Sequence, residues 1–184
     1  PIPLIAGQLI WMNVVTDTFF DISLSLEPKN PNLMKKTTKI RKKLFDSFML
    51  TRILIIGPTI AIGAFWLFSE FASSDPTKAR TMALTALVVG QWFNSLSSRS
   101  ETKSVFAMNP FSNKFLLGTL LSVMVLHIGA VYLPFMNKIL RISPLDLSDW
   151  KQIFMVGIAV LLVEELRKLV YKMIEINNRK EIAS

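Results

Sequence analysis

Apolar residues in this chain do not alternate with polar ones; they gather into five blocks, at roughly 4–26, 48–70, 81–98, 115–136 and 150–172. A helix that crosses a membrane needs about 20 mostly apolar residues, and each block comes close to that length. Short stretches rich in helix breakers separate them: "EPKNPN", "SSDPTK", "AMNPFSNK" and "ISPLDLSD". The third block is the weakest, yet "TMALTALVVGQWFNSL" carries no charge after Arg80. The pattern predicts an all-α membrane protein, a multi-pass bundle of five transmembrane helices. In "LDLSDW", Ser148 or Asp149 can cap the last helix, and its final turns carry Arg167, Lys168 and Lys172, cations that suit a helix C-terminus.

Charge orients this bundle. Lys29, Lys35, Lys36, Lys39, Arg41, Lys42 and Lys43 crowd the connection between the first two blocks. If that connection, the 99–114 loop and the C-terminal tail share one side, that side holds sixteen of the 21 basic residues and the other holds five. The positive-inside rule then places the N-terminus outside and the C-terminus in the cytoplasm. Trp66, Trp150, Tyr132 and Tyr171 fall near block ends, where an aromatic belt belongs. The formal net charge of +8 raises nucleic acid as a partner, but no aromatic residue interleaves the basic run to stack on bases, so membrane lipid is the expected partner instead. The chain has no cysteine, which removes disulfides and thiolate chemistry. It begins at Pro1 and opens on no signal-peptide pattern, so it is expected to be a piece of a longer polypeptide.

Polar residues inside the blocks are where chemistry concentrates. A carboxylate at mid-span costs a few kcal/mol even on lenient insertion scales, and Asp17 lies too deep in the first block to snorkel. At about 100° per residue, Asn13, Asp17 and Asp21 fall within roughly 80° of one another, with Thr16 on the flank. Amide, hydroxyl and carboxylate oxygens are hard donors that suit Ca²⁺, Mg²⁺, Mn²⁺ or Na⁺; interhelical hydrogen bonding is the plainer use of Asn13 and Thr16. Asp21 sits near the cytoplasmic mouth, where solvation or capping explains it equally well. Gln91 and Asn94, i and i+3 in the third block, either lend a carbonyl to a cation or bond across helices. His127 stands alone and reads as a packed, hydrogen-bonded residue. Glu164 and Glu165 have Lys168 at i+4 and i+3 for local pairing. No nucleophile elbow, phosphate loop or paired-histidine motif occurs, so no catalytic and no cofactor-binding residue is assigned.

The run "QLIWMNVVTD" resembles the sixth transmembrane helix of type II P-type ATPases, whose calcium pumps carry Q-L-L-W-x-N-L-V-T-D. The likeness continues in order: "MALTALVVGQWFNSLSSRSETKSVF" is similar to the eighth helix and its following loop, especially in secretory-pathway pumps and their prokaryotic relatives. "LLSVMVLHIGAVYLPF" is similar to the ninth helix, and "LDLSDW" through "VEELRKL" to the tenth. The resemblance implies that residues 1–184 are the C-terminal transmembrane domain of an ATP-driven cation pump. It implies Asn13, Thr16 and Asp17 as cation ligands, with Gln91 at the position that is usually Glu in pumps with two calcium sites. A neutral amide there implies a single divalent site. Ca²⁺ is the first expectation for the cargo, with proton counter-transport. ATP and Mg²⁺ would bind domains outside this chain, and the partners would be those domains and the preceding helices of the same polypeptide. The family follows the Asp with Gly-Leu-Pro and an unwound turn; "DTFFD" has neither breaker, and Phe19 and Phe20 still permit a helix. A prokaryotic protein of this kind would lie in the cell membrane. The rival reading is a secondary transporter or channel subunit that uses Asp17 as a proton relay.

Overall fold

The computed structural model describes residues 2–26, 47–100 and 104–183, with backbone alone for residues 47, 48, 110 and 175–183. The basic run from Lys29 to Lys43, Lys103 and the side chains of Arg179 and Lys180 lie outside what is described. The described residues are helical throughout, without a strand.

The first predicted span is one continuous helix in three parts: α1 (Ala6–Met12), a π-helical turn at Asn13–Asp17, and α2 (Thr18–Ser25). Ile5, in extended conformation, caps it, and the wholly buried Gln8 reaches back so that its Oε1 accepts the Ile5 amide at 3.1 Å. Gln8 Nε2 donates to the Leu140 carbonyl at 3.0 Å, which ties the start of this helix to the end of a short helix far along the chain. Next comes α3 (Ser47–Phe71), interrupted internally by Pro58. Proline has no amide hydrogen, so the carbonyl one turn back, at Leu54, loses its helical donor. In α4 (Pro76–Ser98), Asp75 accepts the amides of Thr77 and Lys78, each at 3.0 Å, and Pro76 opens the first turn.

Two short 3₁₀ turns, Val105–Ala107 and Pro110–Ser112, lead to α5 (Lys114–Tyr132). Asn113 caps α5 by accepting the Leu116 amide at 2.8 Å, while its Nδ2 donates to the Ser23 carbonyl at 3.3 Å. The predicted fourth span, 115–136, is therefore shortened at its far end. Pro134 disfavours a helical Leu133, and the chain restarts as α6 (Pro134–Leu140), closed by Arg141 at φ 50°. The last helix, α7 (Leu147–Ala183), runs well past the predicted 150–172. Its cap is Asp146, whose carbonyl takes the Trp150 amide at 3.2 Å. The sequence reading put the cap at Ser148 or Asp149; Asp149 instead sits inside the first turn, where its Oδ2 accepts the Asp146 amide at 2.8 Å.

α3, α4 and α7 form a tight trio, with α4 at the centre. Glycines permit the close approach: a methyl group on Gly157 would stand 2.9 Å from Val89 Cγ1 and closer still to the Phe93 ring, and one on Gly90 would stand 3.0 Å from Ile60. The main core joins Leu67 of α3, Met82 and Leu84 of α4, Val131 of α5 and Ile153 of α7. A second cluster joins Val15 and Phe20 to Leu116, Leu120 and Val123 of α5. Outward faces are strongly apolar, with Leu54, Ile62 and Phe65 on α3 and Leu121 and Val125 on α5 all exposed. Water-facing monomers rarely show such surfaces. Met49–Phe71 and Lys114–Tyr132 are long and apolar enough to cross a membrane by length and composition.

Two outcomes follow. Gly157→Ala should cost about 1–3 kcal/mol through overpacking against Phe93, whereas Gly118→Ala, with nothing within 4 Å of the added methyl, should leave the melting midpoint in detergent unchanged or raise it. At the bundle end facing the other way from the basic loops, Lys78 donates to the buried Asp149 at 2.9 Å, and this hydrogen bond lifts the lysine above its ordinary 10.5. Its contribution is fully present below that ordinary value and is lost as pH climbs through the raised one. Alkaline melting curves should show this loss in the native chain and a smaller one in Lys78→Met.

Candidate cation site

The π-helical turn covers "NVVTD", the stretch that holds three of the four candidate ligands. Its mark is the Thr18 amide, which donates to the carbonyl of Asn13 five residues back. Single π-turns inside α-helices recur at functional sites. Here threonine hydroxyls help to close it: Thr16 Oγ1 donates to the Met12 carbonyl, and Thr18 Oγ1 to the Asn13 carbonyl at 3.0 Å. The helix is widened rather than unwound, consistent with the absence of Gly and Pro.

Thr16 is wholly buried, and its hydroxyl has one proton. That proton has two acceptors in reach, the Met12 carbonyl and Asp17 Oδ1 at 3.3 Å. Gln91 of α4 stands near the Asp17 carboxyl and lines the same cleft. Thr16, Asp17 and Gln91 therefore converge. Asn13 does not join them: it is exposed, lies outside the adjoining cleft, and its backbone carbonyl takes both Thr18 donors. Among the described residues no three His, Cys, Asp or Glu side chains cluster at metal-binding distance. The donor set is one carboxylate with hydroxyl and amide oxygens, a combination that favours a hard cation over a soft one.

A cleft of about 580 Å³ opens beside Asp17 between α2, α3 and α4. Asp21 lines it one turn beyond Asp17, so the second carboxylate shares the space of the first. Arg52 of α3 also lines it, a residue that sequence reasoning counted only for orientation. Its Nη2 donates to Asn94 Oδ1 at 3.0 Å and to the Ser98 hydroxyl, and its Nε lies 3.3 Å from Glu164 Oε1. Asn94 thus bonds across helices. The available signal was that Arg52 has no acidic residue at helical spacing within its own block, so its partner had to come from another helix.

Glu164 pairs locally as expected, but with Arg167 at i+3 and not with Lys168. It is gripped by Arg167, through Nε at 2.7 Å and Nη2 at 2.8 Å, and turns its other contact to Arg52 rather than to Lys168. The planar guanidinium can hold a carboxylate with two parallel bonds, which an ammonium cannot. Glu165 does pair with Lys168, at 3.4 Å, and also accepts the Val105 amide at 3.1 Å. The buried Lys168 donates to the Ser97 carbonyl at 3.0 Å, near the C-terminal end of α4. His127 is packed and hydrogen-bonded, as expected. Its Nδ1 accepts from Trp11 Nε1 at 3.4 Å, which leaves Nε2 to donate to Thr85 Oγ1 at 3.1 Å, so it joins α1, α4 and α5.

Residues 1–170 match the family described as "Cation transporting ATPase, C-terminus". The chain is 32% identical over 173 residues to "Calcium-transporting ATPase 1" of Saccharomyces cerevisiae, covering 92% of this chain and 18% of that protein. It is 31% identical over 188 residues to "Calcium-transporting ATPase 1" of Bacillus cereus, covering 92% and 21%. To "Probable cation-transporting ATPase F" of Mycobacterium tuberculosis it is 27% identical over 165 residues, covering 88% and 18%. The chain spans about a fifth of the length of these relatives. With nearly the whole sequence matched in register, this chain belongs to the family of cation-transporting ATPase C-terminal regions.

Proposed function

We propose that this chain is the membrane half of an ATP-driven cation pump and supplies ligands to a mid-membrane site for one hard cation, Ca²⁺ before Mn²⁺, Mg²⁺ or Na⁺. The observation that carries the reading is the π-turn that sets the Asp17 carboxyl against Thr16 and Gln91 at the head of a polar-walled cleft. Thr16, Asp17 and Gln91 hold the ion, and Asn13 completes the set by a side-chain rotation toward it when cargo arrives. Asp21 lines the route by which the ion reaches Asp17. The printed names of the Saccharomyces and Bacillus relatives support Ca²⁺ as cargo. When the site empties, Asp17 takes a proton in place of the cation and returns it across the membrane.

In this reading the chain crosses the membrane five times with its N-terminus outside, embedded in lipid. It works with preceding helices and with cytoplasmic domains of the same polypeptide that bind ATP and Mg²⁺. The family assignment supports the pump over a proton-relay channel, because relatives along the matched length are named as ATPases.

In the full-length protein, Asp17→Asn should abolish cation-activated ATP hydrolysis while leaving the protein folded; activation by Ca²⁺, Mn²⁺, Mg²⁺ and Na⁺ compared side by side identifies the cargo. Unchanged ion affinity in Asp17→Asn would show the ligand assignment to be wrong. Topology is open to direct labelling, since this stretch carries no native cysteine. A membrane-impermeant maleimide added outside should modify Ser74→Cys, between α3 and α4, and should spare Phe111→Cys, between α4 and α5.

A further inference from the structure

Two carboxylates one helical turn apart, Asp17 and Asp21, face a single cleft. Like charges at that spacing repel, and the repulsion grows where water is scarce. A divalent cation at Asp17 relieves it only while cargo is bound. The opposite wall of the cleft carries Arg52, whose side chain is about four-fifths buried.

Arg52 is held in place rather than left to swing. Asn94 and Ser98 of α4 accept its Nη2, and Glu164 of α7 lies against its Nε. Glu164 is itself fixed by the two bonds from Arg167. Three helices therefore fix one guanidinium on the wall of the cleft that holds the cation ligands. From Gln91 the polar residues Asn94, Ser95 and Ser98 continue down the same face of α4, and they too line the cleft. One polar track runs from the carboxyl of Asp17 to the guanidinium of Arg52.

We propose that Arg52 is a built-in counter-charge of the cation cleft: it offsets the paired carboxylates when cargo is absent, and it holds the affinity for a divalent ion low enough for release. It acts on the ion through the field in the cleft and not as a ligand, because a guanidinium has no lone pair to offer. In effect it occupies the electrostatic place of a second cation and limits the cleft to one. The inference rests on the pump reading above and names the residue that sets the affinity of that same site.

The experiment uses the full-length pump in lipid vesicles and reads the Ca²⁺ concentration for half-maximal ATP hydrolysis together with the maximal rate. Arg52→Gln removes the charge and should lower the half-maximal concentration by roughly threefold or more. Arg52→Lys keeps the charge and should restore the original value. Asn94→Asp sets a carboxylate against the guanidinium without removing it, and should shift the value in the same direction as Arg52→Gln; it carries the test if that variant does not fold. Lost packing alone would weaken activation, so tighter activation with lysine rescue separates charge from structure. If the folded Arg52→Gln or Asn94→Asp protein shows an unchanged or raised value, or if Arg52→Lys behaves like Arg52→Gln, the role of Arg52 is overturned. In those cases Asp17→Asn still abolishes activation, and the pump reading stands. Activation that survives in Asp17→Asn overturns the reading on which this inference depends.

Discussion

Polar groups spaced along α4 meet partners from several other segments, and the bundle is arranged around those contacts. Thr81 takes the Ser143 amide at 2.9 Å, Thr85 meets His127, Gln91 meets Asp17, Asn94 meets Arg52, and the Ser97 carbonyl meets Lys168. Each partner comes from a different segment, so one helix fixes the register of nearly all the others. An unpartnered buried amide or hydroxyl costs on the order of 1–3 kcal/mol, and a slipped register would orphan several at once. The candidate site inherits its geometry from this arrangement: Gln91 lies beside Asp17 while Thr85 and Thr81, nearer the start of α4, are engaged with α5 and the loop after α6.

The sequence made the helices legible where they face lipid and less so where they face protein. α3 and α5 carry long apolar stretches, and much of that apolar surface is exposed on the outside of the bundle. α4 reads as the weakest span because its neighbours cover it; small and hydroxylated residues such as Ala79, Thr81, Ala83, Thr85 and Ala86 are buried there against other helices. A buried helix needs close packing more than it needs hydropathy. The end of the fourth span was misjudged because apolar content continued past Tyr132 while Pro134 had already broken the helix. The cap of α7 was misplaced for a related reason: "LDLSD" offers three cap-type side chains, and the choice among them depends on Lys78, which draws Asp149 inward from a different helix.

The candidate site was legible in its chemistry and not in its geometry. Asp17 announces itself, since a carboxylate at that depth has few uses. The π-turn does not, because no Gly or Pro signals it; in hindsight Thr16 and Thr18 do, as hydroxyls able to satisfy carbonyls that a wider turn displaces. Asn13 shares a stripe with Asp17 on an ideal helix, yet it is exposed and lies outside the cleft. Arg52 was readable only as a residue without a local acidic partner. Long-range ion pairs leave no periodic trace in a sequence, so their assembly across α3, α4 and α7 required coordinates.

Pro58 breaks one rung of the hydrogen-bond ladder of α3 without ending the helix. Ile56, just before it, and Ile60, just after it, are both buried in one cluster with Val160 of α7. Further on, Gly63 lies against Val156 and Leu67 is sealed in the core, while on the other side of the proline Arg52 is tied to α4 and α7. A missing rung is where a helix bends most readily, and here neighbouring helices brace it on both sides. The cleft wall that Arg52, Ile53, Ile56 and Ile60 line is thereby kept as one strut across the proline.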